Sequence, residues 1–209
     1  MMELVVFALI AYLLGSIPTA VWIGKAWYGM DVREHGSKNA GATNTFRVLG
    51  KKPGTIVLII DILKGAIASS LPLIYVYSTS GFAIEQGIQW QITASIFAVT
   101  GHVFPIFAQF KGGKGVATSL GVIFGLHPLA ASICLGVFLI VFLVSKFVSL
   151  GAIVAAICFP IVIRFVLNED STWLIAFSVV LSVLVLIAHR KNIQRLMKGE
   201  ENKMNLFKK

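Results

Sequence analysis

Seven apolar runs alternate with polar stretches along the chain, and each reads as a helix that crosses or enters a membrane. They cover about residues 4–23, 55–77, 90–107, 116–126, 129–144, 148–167 and 173–188. The fourth and fifth form one apolar stretch interrupted only at His127-Pro128. Proline disfavours helix in the residue before it, so the stretch divides there. The fourth run is then short for a bilayer, which suits a tilted, re-entrant or bundle-packed helix. The expected fold is an all-α integral membrane protein, a single bundle of about seven transmembrane helices. Residues 1–199 form one expected domain, and residues 200–209 a polar, loosely ordered tail.

Charge along the polar stretches is lopsided. With seven spans, loop 24–54 (Lys25, Arg33, Lys38, Arg47, Lys51, Lys52), loop 108–115 (Lys111, Lys114), loop 145–147 (Lys146) and the tail share one side. The tail adds Arg190, Lys191, Arg195, Lys198, Lys203, Lys208 and Lys209. Loop 78–89, the turn at 127–128 and loop 168–172 share the other side and hold no Lys or Arg. Basic loops stay cytoplasmic, so the N-terminus is expected outside and the tail in the cytoplasm. Six spans would scatter the cations over both faces.

Composition sets the solvent. Of 209 residues, 57% are hydrophobic, and the mean hydropathy is +0.87. A soluble domain of this length cannot hide that much apolar surface, so the solvent is lipid. The net charge of +9 then reports orientation and anionic headgroups, not nucleic acid. Cys134 and Cys158 lie inside apolar runs without metal-ligand spacing, and both read as packing residues with no disulfide. The start, Met1-Met2-Glu3, lacks the cations of a signal peptide and reads as a retained first span. Arg164, near the outer end of its run, is expected to snorkel. Asp61 and Lys64 are three apart on one helix face, with Asp61 roughly 9 Å above the inner end of its span. They are either a structural ion pair or a pair that supports a cytoplasmic site from below.

Two basic-side segments carry the candidate chemistry. The stretch Gly36-Ser37-Lys38-Asn39-Ala40-Gly41-Ala42-Thr43-Asn44-Thr45-Phe46-Arg47 offers hydroxyls, amides and a guanidinium suited to a phosphate. The stretch Phe110-Lys111-Gly112-Gly113-Lys114-Gly115-Val116-Ala117-Thr118 places three glycines and a lysine before a helix N-terminus, where free N–H groups and a partial positive charge favour an anion. It is not a nucleotide P-loop, since Gly115 follows Lys114 and no strand precedes. His189 and Asn192, three apart after the last run, point the same way on a continuing helix. His102 sits near the inner end of the third run, in Gly101-His102-Val103-Phe104-Pro105. No loop clusters carboxylates, so no metal is expected. Read from these residues alone, the chain is a membrane enzyme for phosphorylated substrates. A transporter of phosphorylated solutes is the competing reading, disfavoured because the polar loops gather on one side and no internal repeat is visible.

Taken in order, these segments resemble the acyl-phosphate:glycerol-3-phosphate acyltransferases of bacterial membranes, the PlsY family. The likeness rests on Gly36-Ser37-x-Asn39-x-Gly41-Ala42-Thr43-Asn44-x-x-Arg47, on Asp61-x-x-Lys64-Gly65, on Gly101-His102-x-Phe104-Pro105 with the glycine segment, and on His189-Arg190-x-Asn192-Ile193-x-Arg195-Leu196. One departure is Lys38, where that family often has glycine. The resemblance implies transfer of a fatty acyl group from acyl phosphate to the first hydroxyl of glycerol 3-phosphate, giving lysophosphatidic acid and inorganic phosphate, at the inner membrane and without a cofactor. It casts Ser37, Arg47, Lys114 and His189 as catalytic. Asn39, Thr43, Asn44, His102, Gly112, Gly113, Gly115 and Asn192 become substrate-binding: Asn39, Thr43 and Asn44 bind phosphate oxygens, and the glycine amides hold a phosphate or the developing oxyanion. No Ser–His–carboxylate arrangement is evident, which favours direct attack over an acyl-enzyme.

Overall fold

The computed structural model describes residues 2–80 and 84–204. The middle of the cation-free loop expected at 78–89 and the last part of the tail, 205–209, lie outside them. The chain forms two compact units, Met1–Leu126 and His127–Lys209.

The first unit contains α1 (Met2–Gly15), α2 (Thr19–Tyr28), a 3-10 turn (Val32–Glu34), α3 (Ala42–Leu49), α4 (Lys51–Ser80), α5 (Ile84–Val103), a second 3-10 turn (Ile106–Ala108) and α6 (Val116–Leu126). α4 packs against α1, α5 and α6, and α1 against α5. Small residues permit these close crossings, as lipid-embedded helices require. A Cβ at Gly15 would land on the Ala98 carbonyl, and one at Gly65 on the Thr118 carbonyl. The expected first span is broken. Pro18 has no N–H to donate and stops α1, and Thr19 starts α2. The helix pair runs Met2–Tyr28, longer than the sequence predicts. The loop expected at 24–54 is largely folded as well, into the first turn, α3 and the start of α4.

The second unit contains α7 (Pro128–Ser145), α8 (Val148–Ile161) continuing into a π-turn (Val162–Val166), α9 (Thr172–Ala188) and α10 (Arg190–Met197). The division at His127-Pro128 is as expected. Pro128 occupies the first helical position, and the His127 ring caps α7 by accepting from Ala130 N at 3.3 Å. With Nδ1 accepting, Nε2 carries the proton and donates to Glu169 Oε1 at 3.1 Å. Arg164 is exposed at the end of its run, as snorkelling requires, and pairs with Asp170 at 2.8 Å.

Among the described residues, five helices are long and apolar enough to cross a bilayer, six if α9 and α10 count as one bent span. Val116–Leu126 is a shorter apolar helix. Each of the seven expected runs falls on one of these.

Candidate active site

The first polar segment is organised by two buried or half-buried side chains. Asp31 accepts from Arg33 N (3.0 Å) and from the Arg33 guanidinium at Nε (2.9 Å) and Nη2 (2.7 Å). Those hydrogen bonds, working against burial, hold its carboxyl at about 2. Arg33 Nη1 reaches across to donate to the Ala108 carbonyl at 2.8 Å, which ties the first polar segment to the second. Asn44 is the other organiser. It is 1% exposed. Its Nδ2 donates to the carbonyls of Val32 (2.8 Å) and His35 (3.1 Å), and its Oδ1 accepts from Ser37 N (2.8 Å) and Ser37 Oγ (3.0 Å).

That network corrects one expectation. Asn44 is not placed to bind phosphate oxygens, because both amide protons and the oxygen are engaged inside the loop. It sets the position of Ser37 instead. Ser37 itself is exposed. Gly41 caps α3, accepting from Asn44 N and Thr45 N (3.1 Å each). Asn39 and Thr43 lie half-buried near this helix start, and Arg47 is exposed in its last turn. Ala40 anchors the segment in an apolar cluster with Ala20, Val21, Val32 and Val57. Lys38 adopts φ +57°, a left-handed conformation suited to glycine. Its side chain is exposed, so the departure from the family residue loads the backbone and crowds nothing.

The glycine segment folds back onto the end of α5. Gly112 N donates to Val103 O (3.2 Å) and Gly113 N to His102 O (3.1 Å). The expectation that these two amides hold an anion is therefore also corrected: they satisfy the carbonyls left over at a helix C-terminus. What demands glycine there is space. A Cβ at Gly112 would strike the His102 carbonyl, and one at Gly113 would strike the His102 ring at Nε2. Gly115 has φ +81° and leads directly into α6, with Lys114 half-buried beside it.

Beneath this loop lies a buried polar cluster. Lys64 Nζ is 2.8 Å from Asp61 Oδ1, with both side chains almost fully buried. Lys64 also donates to the Ile17 carbonyl (2.9 Å), and Thr19 Oγ1 donates to Asp61 Oδ1 (3.3 Å), so the pair stitches both sides of the α1–α2 break. His102 Nδ1 is 3.7 Å from the same carboxylate oxygen and has no hydrogen-bond partner. A narrow pocket is lined by Asp61, Lys64, His102, Ala40, Gly112 and Gly113, among others. Of the two polar segments that the sequence singles out, the first contributes only Ala40 to this lining and the second Gly112 and Gly113.

In the second unit, His189 terminates α9, and α10 leaves at 61° to it. This corrects the picture of His189 and Asn192 on one continuing helix. His189 Nδ1 donates to Val185 O at 2.9 Å, so in the neutral ring Nε2 is unprotonated. Asn192 Nδ2 donates to Glu201 Oε1 (2.7 Å). Glu201 also accepts from Arg195 Nε (2.7 Å) and Ser149 Oγ (2.9 Å). Burial raises its pKa, but the bonds from Arg195, Asn192 and Ser149 outweigh that and leave it lowered. Lys203 lies over the Phe147 ring, and Met204 N donates to Lys146 O (2.8 Å). The expected loose tail is therefore strapped to its unit as far as Met204.

Sequence reasoning missed Arg33, Asp31 and Glu201. The Asp-x-Arg spacing after a glycine is a visible helix-cap signal. Glu201 carries none, being one carboxylate in a polar tail.

The chain matches the family model described as "Glycerol-3-phosphate acyltransferase" over residues 5–199. It is 42% identical to a glycerol-3-phosphate acyltransferase of Salinibacter ruber over 99% of this chain and 95% of that protein. It is 47% identical to one of Fusobacterium nucleatum, covering 94% and 96%. Its fold is similar to a crystal structure of PlsY (YgiH), an integral membrane glycerol 3-phosphate acyltransferase, in the glycerol 3-phosphate form. The TM-score is 0.87, with 37% identity over 99% of this chain and 100% of that one.

Proposed function

Because this chain belongs to the glycerol-3-phosphate acyltransferase family, we propose that it takes its acyl group from acyl phosphate and delivers it to the sn-1 hydroxyl of glycerol 3-phosphate. The hydroxyl oxygen attacks the acyl carbonyl carbon. The bond from that carbon to the phosphate oxygen breaks, the hydroxyl proton passes to a base, and lysophosphatidic acid and inorganic phosphate leave. Acyl phosphate is already activated, so positioning and charge neutralisation dominate. Two anionic substrates side by side repel unless cations intervene. Arg47 and Lys114 take that task, with Ser37, held by Asn44, donating to a phosphate oxygen. Asn39, Thr43 and Gly115 complete the phosphate contacts. Gly112 and Gly113 serve by closeness rather than by their amides. Residues 1–199 act as one catalytic domain in the bacterial inner membrane, and the acyl chain stays in lipid. The one-sided distribution of Lys and Arg in the sequence supports a cytoplasmic site.

The observation that carries this reading is the match to the glycerol-3-phosphate acyltransferase family over residues 5–199, beside the Arg33–Ala108 hydrogen bond that ties the first polar segment to the second. The test is direct. Detergent-purified protein is given palmitoyl phosphate and glycerol 3-phosphate, with palmitoyl-CoA in a parallel reaction. Equimolar phosphate and lysophosphatidic acid from palmitoyl phosphate alone is the expected result. Folded protein yielding neither product, or yielding ester only from the CoA donor, overturns the reading.

A further inference from the structure

The second unit carries a stripe of cations that the proposed reaction does not use. From Val179 onward, the exposed side chains of α9 are Val179, Val180, Val183, Leu184 and Ile187, the three- and four-residue steps of one helix face. They are the apolar face that a span turns to lipid. In α10 the exposed side chains are Arg190, Lys191, Gln194, Met197 and Lys198, which continue the same steps. At 3.6 residues per turn these five fall within an arc of about 120°. The exposed face therefore changes from apolar to mainly cationic at His189, where the helix bends. Asn192 lies on the far side of α10, bonded to Glu201.

The bend fixes the depth of the stripe. α10 has eight residues, about 12 Å of helix, and leaves α9 at 61°. It therefore advances only about 6 Å along the axis of α9. The headgroup layer on each side of the hydrocarbon is about 5–8 Å deep, so the whole stripe stays at headgroup level. Among the described residues, Arg190, Lys191 and Lys198 form no ion pair. Glu201 is taken by Arg195, Asn192 and Ser149, and the exposed Glu200 pairs with none of the three. We propose that Arg190, Lys191 and Lys198 form a binding stripe for the phosphate groups of anionic phospholipid. An acidic protein is the poorer fit, because it approaches from water, whereas the stripe prolongs a lipid-facing face and lies among the headgroups. A basic residue beside a span strengthens attraction to an anionic leaflet about fivefold. The lipid seats α10 from one side, as Glu201 seats it from the other.

The test measures amide hydrogen exchange over residues 190–198 of the full chain in lipid nanodiscs. One set of discs is phosphatidylcholine alone, and the other is phosphatidylcholine mixed with phosphatidylglycerol. The amides of Ile193 and Lys198 donate to His189 O and Gln194 O, so their exchange reports opening of α10. It is expected to slow about fivefold or more in the anionic discs, and high salt is expected to erase the difference. Lys191→Gln combined with Lys198→Gln is expected to remove most of the difference and leave exchange in phosphatidylcholine unchanged. Lys51→Gln with Lys52→Gln, an equal loss of exposed charge in the first unit, is expected to keep it. Equal exchange in the two kinds of disc overturns the inference, as does a difference that survives in the Lys191→Gln, Lys198→Gln protein. Inorganic phosphate slowing exchange as much in phosphatidylcholine discs assigns the stripe to a free anion, and poly-glutamate doing so assigns it to an acidic protein. Either result overturns the inference. Exchange along α9 checks that the variant is folded, and if it is not, the salt comparison on the unsubstituted protein decides. No acyl transfer is measured, so the outcome is independent of the reaction proposed above.

Discussion

Single side chains divide into those that meet substrate and those that shape the loop around it. The proposed function puts Arg47 and Lys114 in the first group, so Arg47→Ala or Lys114→Ala is expected to lower kcat/KM by about 10²–10³. A steady-state assay with acyl phosphate checks this, and a normal rate in either removes it from the site. His102→Ala and His189→Ala are expected to cost less, with His189→Ala the larger of the two. Asn44 belongs to the second group. Asn44→Ala leaves the carbonyls of Val32 and His35 and both Ser37 donors without their partner. The expected cost is about 1–3 kcal/mol, read as a lower unfolding temperature in detergent. Lys38→Gly works the other way. Relief of the left-handed strain is expected to raise stability by about 1 kcal/mol with activity retained, and a drop in unfolding temperature contradicts it. The residue types around Ser37 were legible as a polar cluster. Their division of labour was not, because an asparagine that binds a ligand and one that binds its own loop look the same in one dimension.

Between elements, the sequence was most readable where covalent geometry acts alone. Pro128 marks the start of α7, and the apolar runs mark the helices. It was least readable where long-range hydrogen bonds redirect a segment. Nothing local announces that Arg33 reaches Ala108, or that the tail returns to Ser149, Asn192 and Arg195. Gly112 and Gly113 looked like anion donors because glycine next to lysine before a helix usually is. The unmet carbonyls of Val103 and His102 claim those amides first. The tail strap carries a pH dependence. Glu201 has a folded pKa below its ordinary 4.5, so its contribution to stability is complete above that value and fades as pH falls through the lower folded one. Hydrogen exchange at residues 200–204, corrected for its intrinsic pH dependence, is therefore expected to be less protected at acid pH than at neutral pH, where trypsin cuts slowly after Lys203. Glu201→Gln should show the faster cleavage at neutral pH, and equal rates in the two proteins would remove the strap. Asp31 follows the same sign further down. Its clamp on Arg33 holds above 3.8 and is lost only as pH approaches about 2.

For the molecule as a whole, orientation is the property on which the proposed cytoplasmic site depends. Glu34→Cys in a chain also carrying Cys134→Ala and Cys158→Ala is expected to react with an impermeant maleimide in inside-out vesicles and not in right-side-out ones. Asp170→Cys should show the reverse, and labelling of both from one side contradicts the arrangement inferred from the cations. The broken first span has a consequence for how the chain enters the bilayer at all. α1 has 14 residues, about 21 Å of helix, less than the roughly 30 Å of hydrocarbon. At the break that follows, Ile17 O accepts from Thr19 N (3.0 Å) and, across to the next span, from Lys64 Nζ (2.9 Å). Lipid offers no substitute for the second of these bonds. A nascent chain that has delivered only its first helix lacks it, so the first two spans are expected to enter the bilayer together, as a hairpin. They are joined by an ammonium that is itself admissible in the membrane only because Asp61 comes with it.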